Sequence, residues 1–239
     1  MSEAPKKKKK ENNFKKYIKV MWGTYICFLV AVIVFFILLS LGVLGFMPTF
    51  EQLENPKANL ATEVYSDSGE LMGYIGIQNR SNVTYKDLSP NLINALVATE
   101  DARFYEHSGI DFRSLLRVLT KTVLGGDKSS GGGSTLTQQL AKNLFPREKK
   151  SMIGTVFAKL KEWVVAVKLE RNYSKEEILS MYLNTVDYGS NAFGIKAASQ
   201  IFFSKHPSEL EVEEAAVLVG LLKAPTTYSP VRNPENANK

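Results

Sequence analysis

From Val20 to Phe50 the chain carries no charged residue, and Ile26 to Leu39 is apolar throughout. A helix crosses a bilayer with about 20 apolar residues, and this run is longer. A cleaved signal peptide has an apolar region of roughly 7–15 residues, so length argues for a retained anchor, although Ser40-Leu41-Gly42 offers a weak small-x-small cleavage site. Lys6 to Lys10, Lys15, Lys16 and Lys19 stand directly before the run, and Glu51 and Glu54 come first after it. Positive-inside bias then puts the N-terminus in the cytoplasm and everything after about Met47 outside. The lysine tail is expected to sit on anionic lipid headgroups.

The anchor also explains the basic pI. The chain carries 30 Lys and Arg against 24 Asp and Glu, and residues 1–19 alone hold eight lysines against Glu3 and Glu11. Residues 20–239 are left with 22 cationic and 22 acidic side chains, a net charge of zero. A nucleic-acid partner needs a basic patch on the folded domain, so that class is set aside. The single cysteine, Cys27, excludes a disulfide framework and a cysteine metal site, and His107 and His206 are too far apart in sequence to read as a zinc pair.

Four parts follow: a lysine-rich tail at 1–19, a transmembrane helix at 20–47, a membrane-proximal linker with a β-hairpin at 48–88, and a mainly α domain at 89–239. Asp67-Ser68-Gly69 between Thr62–Tyr65 and Leu71–Ile77 predicts the hairpin. Ser89-Pro90 predicts a cap and first helical position for a helix from Asn91 to about Phe104. Asp111 caps Phe112–Leu124, and the glycine-rich stretch 125–133 predicts a loop. Ser134 or Thr135 caps a helix to about Phe145, and apolar spacing predicts another over Ser151–Arg171. Ser174-Lys175-Glu176-Glu177 is a capping box ahead of Glu177–Val186; Gly194–Phe203 and Val212–Lys223 complete the set.

Three polar stretches could carry chemistry. In the first, Glu100 and Asp101 end an apolar helix, ahead of Arg103, Phe104 and His107. The negative end of a helix and a neighbouring carboxylate both favour a protonatable glutamate, the property a general base needs. An ordinary solvated helix end, with Arg103 pairing to a nearby acid, reads equally from these residues. In the second, Gly131 to Asn143 runs from a glycine loop into a helix N-terminus, a place suited to phosphate; a flexible linker before a capped helix is the plainer reading. The spacing is not that of a P-loop. In the third, Lys159 and Glu162 form an i,i+3 pair, which is usually a solvated salt bridge. No Gly-x-Ser-x-Gly, Ser-x-x-Lys or Lys-Thr-Gly sequence occurs, so a serine nucleophile has no support.

Taken in order, these stretches resemble the peptidoglycan glycosyltransferase domain, glycosyltransferase family 51, of class A penicillin-binding proteins and their monofunctional relatives. The resemblance covers about residues 60–236: Ala98-Thr99-Glu100-Asp101 through His107-x-Gly109-x-Asp111; Gly132-Gly133-Ser134-Thr135-Leu136-Thr137-Gln138-Gln139; Lys159-Leu160-Lys161-Glu162; Glu177-Ile178-Leu179-x-x-Tyr182-Leu183-Asn184 with Tyr188-Gly189 and Gly194-Ile195; and Ala224-Pro225-x-x-Tyr228-Ser229-Pro230 with Asn233-Pro234-Glu235. It implies a lysozyme-like α fold at the outer face of the bacterial inner membrane. That fold would polymerise lipid II onto a growing lipid-linked glycan chain, inverting the donor anomeric carbon to a β-1,4 link and releasing undecaprenyl pyrophosphate. By motif position, Glu100 matches the catalytic base and Glu162 the second glutamate, near the donor pyrophosphate. Thr135, Gln139, Lys142 and Lys159 match positions that contact donor phosphates or sugars, and Ser134, Asn143 and Asn184 join them as substrate-binding candidates. Asp101, Phe104 and His107 match residues lining the cleft. No cofactor is required by this chemistry; a divalent cation, Mg2+ or Mn2+, fits beside a pyrophosphate, with Glu162 as its candidate ligand.

The sequence departs from the family at a few places. Ala158 stands where an arginine is usual, with Lys161 the candidate replacement; Asp187-Tyr188 stands for Tyr-Phe or Tyr-Leu; Phe202-Phe203-Ser204-Lys205 stands for Tyr-Phe-Gly-Lys. The chain stops at Lys239, where class A members continue into a transpeptidase, so an N-terminal fragment of a longer protein is expected. Two rival readings share the fold: a lysozyme-like enzyme that cleaves glycan strands, and an inactive anchored scaffold. Partners follow from the first reading: lipid II, the glycan chain, the phospholipid bilayer and other cell-wall synthesis proteins. Leu116–Leu124 and the glycine loop after it are expected to dip into the bilayer.

Overall fold

In the computed structural model, residues 6–43, 62–68, 71–75, 82–126, 132–145, 151–230 and 232–237 are described. The chain divides into two compact units, Met1–Met47 and Pro48–Lys239.

The first unit is one helix, α1 (Lys6–Ser40), of which Phe14–Ser40 is long and apolar enough to cross a membrane. At 1.5 Å per residue those 27 residues run about 40 Å, more than the ~30 Å of hydrocarbon. The helix does not occupy the expected 20–47. It starts among the lysines, which are good helix formers, because charge marks where the bilayer begins and not where the helix begins. It stops at Ser40 because Gly42 takes a left-handed φ of 76°, with Gly42 N–H donating to Leu39 O and Val43 N–H to Leu38 O, a Schellman ending. Residues 44–47 lie outside the described residues.

The second unit opens with an antiparallel hairpin, β1 (Thr62–Tyr65) and β2 (Leu71–Ile75), in register Thr62↔Ile75 with an irregularity at Val64/Tyr65. The expected extension to Ile77 lies outside the described residues. Helices follow: α2 (Pro90–Glu100), α3 (Phe112–Arg117), α4 (Leu136–Leu144), α5 (Met152–Asn172), α6 (Lys175–Thr185), α7 (Ile195–Phe203), α8 (Val212–Lys223) and α9 (Pro234–Ala237). The mainly α architecture with one hairpin is as expected. The apolar side of α2 (Leu92, Leu96) packs on α8, and α4 lies against both α5 and α6. Leu136, Leu140, Leu169, Ile178, Leu179 and Leu183 are fully buried there, each worth roughly 1.5–3 kcal/mol of transfer free energy. That core fixes α4, and with it the loop that enters α4.

Two helices end earlier than their apolar patterns suggest, and both ends matter for the cleft. α2 stops at Glu100 instead of Phe104, because Asp101 leaves helical geometry (φ −155°, ψ 73°) and its carboxylate accepts from the Leu136 N–H across the fold. α3 keeps α geometry only to Arg117 and continues to Leu124 as π turns. There the Thr120 hydroxyl donates to the carbonyls of Leu116 and Arg117, and the Gly125 N–H reaches back to Thr120 O, so a side chain competes for carbonyls of the ladder.

Candidate active site

The end of α2, the start of α3 and the entry to α4 enclose a cleft of about 330 Å³. Its wall includes Glu100, Asp101 and Arg103 on one side, Ser114 and Arg117 on α3, and Gly132–Thr135 at the foot of α4. Termination of α2 at Glu100 is what leaves this carboxylate at the cleft edge.

Glu100 is half-buried and held by one named contact: Gln139 Nε2 donates to its Oε2 at 2.8 Å. The other end of that amide, Gln139 Oε1, accepts from the Tyr182 hydroxyl at 3.0 Å. Burial, helped by the Glu100 charge, pushes the Tyr182 phenol well above its ordinary value, so it stays a donor.

The expected crowding of Glu100 by Asp101 takes a different form, because the two carboxylates have separate partners. Asp101 accepts from Leu136 N–H at 3.0 Å and meets His107 Nε2 at 3.0 Å. The Gly109 N–H donates to His107 Nδ1 at 3.3 Å, so the neutral ring carries its hydrogen on Nε2 and gives it to Asp101. Phe104 is fully buried, with the Lys175 ammonium 4.2 Å from its ring centroid. Lys175 also donates to His107 O and pairs with Glu170, which accepts from Thr137. Of the three residues expected to line the cleft, Asp101 is in its wall, while Phe104 and His107 pack behind it because a buried polar network and an apolar core claim them.

Gly109 joins three motifs. Its φ is +90°, and a Cβ there would come within 2.9 Å of the Ala166 backbone on α5. Its carbonyl accepts from the Thr135 hydroxyl at 2.7 Å and from Gln138 Nε2 at 3.4 Å. Thr135 is the cap of α4 and also accepts from Gln138 N–H at 3.2 Å. Its hydroxyl is therefore spent on holding the helix entry, and its contribution to the cleft is backbone.

Lys159 Nζ lies 2.8 Å from Ser134 Oγ and 3.1 Å from Glu162 Oε2. The ammonium is a third exposed while Glu162 is buried, so this i,i+3 pair is not a solvated salt bridge. It brings a cation to the N-terminal end of α4, where free N–H groups and the helix dipole already favour an anion. Lys142 and Asn143 are exposed on α4, with Lys142 one turn past Gln139 on the same face. Asn184 does not reach the cleft. Its amide donates to Val83 O at 2.8 Å and accepts from Val83 N–H at 3.1 Å, so its polar atoms clasp the chain ahead of α2, and a substrate contact would have to break that clasp.

Several residues gained roles only from the fold. Arg103 meets Asp111 through two hydrogen bonds. Burial alone would raise the Asp111 carboxyl, but the hydrogen bonds from Arg103 and Ser114 outweigh it and hold the carboxyl far below the usual carboxylate range. Arg117 reaches Gly132 O at 3.1 Å and lines the cleft; nothing in the sequence separated it from other helix-surface arginines. Tyr182 stood in a quoted motif without a role. Among the described residues no group of three or more His, Cys, Asp or Glu comes together to hold a metal. Glu162 has a lysine beside it, an arrangement that suits a phosphate better than a resident cation.

The transglycosylase family matches residues 68–239. Penicillin-binding protein 1A of Aquifex aeolicus is 42% identical over 208 residues, 84% of this chain and 28% of that protein. Penicillin-binding protein 1F of Bacillus subtilis is 41% identical over 175 residues, 73% of this chain and 24% of the relative. Penicillin-binding protein 1A of Escherichia coli is 37% identical over 191 residues, 80% of this chain and 22% of the relative. The chain thus spans about a quarter of the length of these relatives. The family match takes in Glu100, the entry to α4 and Glu162 alike, and on that extent the chain belongs to the transglycosylase family.

Proposed function

We propose that the chain is a peptidoglycan glycosyltransferase that polymerises lipid II into β-1,4 glycan strands. One observation carries the reading: a carboxylate at the C-terminal end of α2 shares a cleft with the N-terminal entry of α4, where Lys159 meets Ser134. Glu100 takes the proton from the 4-hydroxyl of the acceptor N-acetylglucosamine as that oxygen attacks the donor anomeric carbon. The C–O bond to undecaprenyl pyrophosphate breaks on the opposite face, which inverts the centre. The charge that develops on the leaving oxygen falls to Lys159, Ser134 and the α4 dipole; placed donors of this kind are worth about 10²–10³ in rate each. A pyrophosphate leaves without a general acid, so one carboxylate serves where a glycosidase uses two. Lys142 on the same face of α4, and Lys161 on the helix face of Ala158, are available to the remaining phosphate oxygens. A divalent cation carried by the pyrophosphate would act beside Glu162, and assay with and without a chelator decides its part.

The lysines ahead of the apolar run and the acids after it support a catalytic unit outside the cytoplasmic membrane with the N-terminus inside. Phe112, Leu116 and Leu119 are exposed apolar side chains at helical spacing, and they give this unit a surface that enters the lipid where the substrate tails reside. Glu100→Gln keeps shape and removes the base. With lipid II as substrate, glycan polymerisation is expected to vanish while the fold persists; undiminished polymerisation ends the assignment. Cleavage of finished peptidoglycan, with lipid II left untouched, would move the chain to the hydrolytic reading.

A further inference from the structure

We propose that Tyr182 is a positioning residue for Glu100: its hydroxyl decides which end of the Gln139 amide faces the carboxylate, and so keeps a hydrogen-bond donor on the base. The inference rests on Glu100 serving as that base.

A glutamine amide has a donating and an accepting end of nearly equal shape. Gln139 sits between two groups, and only two arrangements satisfy it. In one, which is the arrangement in the structure, the Tyr182 O–H donates to Oε1 and Nε2 donates to Glu100, as suits a carboxylate. In the other, the amide is reversed: Nε2 donates to the tyrosine oxygen and Oε1 faces Glu100, which must then hold a proton to be tolerated. Amide direction and Glu100 protonation are thereby coupled. The tyrosine breaks the tie. It is almost wholly buried, and turning the amide would leave its hydrogen without the acceptor it has. The phenol stays protonated because burial, with the Glu100 charge adding to it, raises it well above its ordinary value.

The charged groups around Glu100 do not supply the same control. On the α2 side, Asp101 is engaged by Leu136 N–H and His107, and Arg103 is engaged by Asp111 at the start of α3. Arg117 of α3 is tied to Gly132 O. The α4 face presents the neutral Gln139, with the exposed Lys142 one turn further along it, while Lys159 at the foot of α4 is engaged by Ser134 and Glu162. Behind Tyr182 stands Tyr188, wholly buried and itself pushed up by burial and then by Tyr182. The hydrogen bond donated by Gln139 is thus the contact on the base that Tyr182 controls.

The test is the pH profile of glycan polymerisation by the full chain in detergent, with lipid II as substrate. Tyr182→Phe removes one oxygen and keeps the ring. Freed to reverse, Gln139 supports the protonated carboxyl, so the acid limb of kcat moves up by about one pH unit, with a loss of about tenfold on the acid side, little loss in alkali and KM unchanged. A purely structural role would lower kcat evenly across pH. Gln139→Ala removes the donor itself and is expected to give the same displaced limb, and adding Tyr182→Phe to it should change nothing further. If Tyr182→Phe does not fold, Gln139→Ala still decides, since an unmoved acid limb in that variant overturns the proposal. Glu100→Gln separates the two readings: if it is active, base and relay both fall; if it is inactive while the single variants keep the parent profile, the relay alone falls.

Discussion

Gly109→Ala tests the claim that one glycine holds the cleft together. The residue has φ +90°, and an added Cβ would stand 2.9 Å from both C and O of Ala166 in the middle of α5. An L side chain in left-handed geometry costs about 1–2 kcal/mol, and forcing a methyl against helix backbone that cannot yield costs about 1–3 kcal/mol more. A combined loss near 3 kcal/mol corresponds to a fall in Tm of about 6–12 °C for a unit of this size. Gly126→Ala supplies the control, since that glycine also has positive φ (+71°) but a Cβ there meets nothing within 4 Å. It should lose about 1–2 kcal/mol, the backbone cost alone. Thermal unfolding of the two variants in one detergent, followed by near-ultraviolet circular dichroism, measures the difference, which is the packing term. Polymerisation should fall further than stability suggests. The Gly109 carbonyl receives Thr135 and Gln138, and a displacement of about 1 Å at a catalytic constellation can cost about 10²-fold in rate. If Gly109→Ala is no less stable than Gly126→Ala, the close approach to α5 is not what demands glycine here.

Asn184→Ala removes both hydrogen bonds to Val83 and is expected to cost about 1–3 kcal/mol in chemical denaturation, with KM for lipid II unchanged in an activity titration. Arg103→Gln leaves Asp111 without its cation. Because the folded Asp111 carboxyl is held below its unfolded value, its contribution is present above about pH 4 and drains away as pH falls below that. The variant should therefore be less stable than the parent at pH 7, and the gap should narrow in denaturation curves taken below pH 4. Lys159→Gln takes the cation from Ser134 and Glu162; kcat/KM should fall by about 10²–10³, and retention of parent kinetics would remove Lys159 from leaving-group stabilisation.

Helix starts were readable from the sequence because each start signal is local. Ser89, Asp111, Thr135 and Ser174 all accept the cap hydrogen bonds that their positions predict. Helix ends were less readable because distant groups set them. The end of α2 depends on Leu136, 35 residues along the chain from Asp101, and the π turns after α3 depend on where one threonine hydroxyl points. The anchor is the exception among the starts, because its lysines carry the helix ahead of the apolar run.

The motifs mark candidate residues but not which way they face, and hydrogen-bond accounting supplies the direction. A side chain whose donors and acceptors are filled by its own chain has little left for a sugar or a phosphate. Both nitrogens of His107, the hydroxyl of Thr135 and both ends of the Asn184 amide are filled in this way. These residues hold the frame around the cleft. Lys159 has three hydrogens to give and two named acceptors, and Glu100 has one named donor on a carboxylate that can take several. Gln139 lies between the groups: its amide is engaged at both ends, yet one of those ends is on Glu100 itself. Its motif position implies a substrate contact, and in the structure its amide joins the buried Tyr182 hydroxyl to the Glu100 carboxylate.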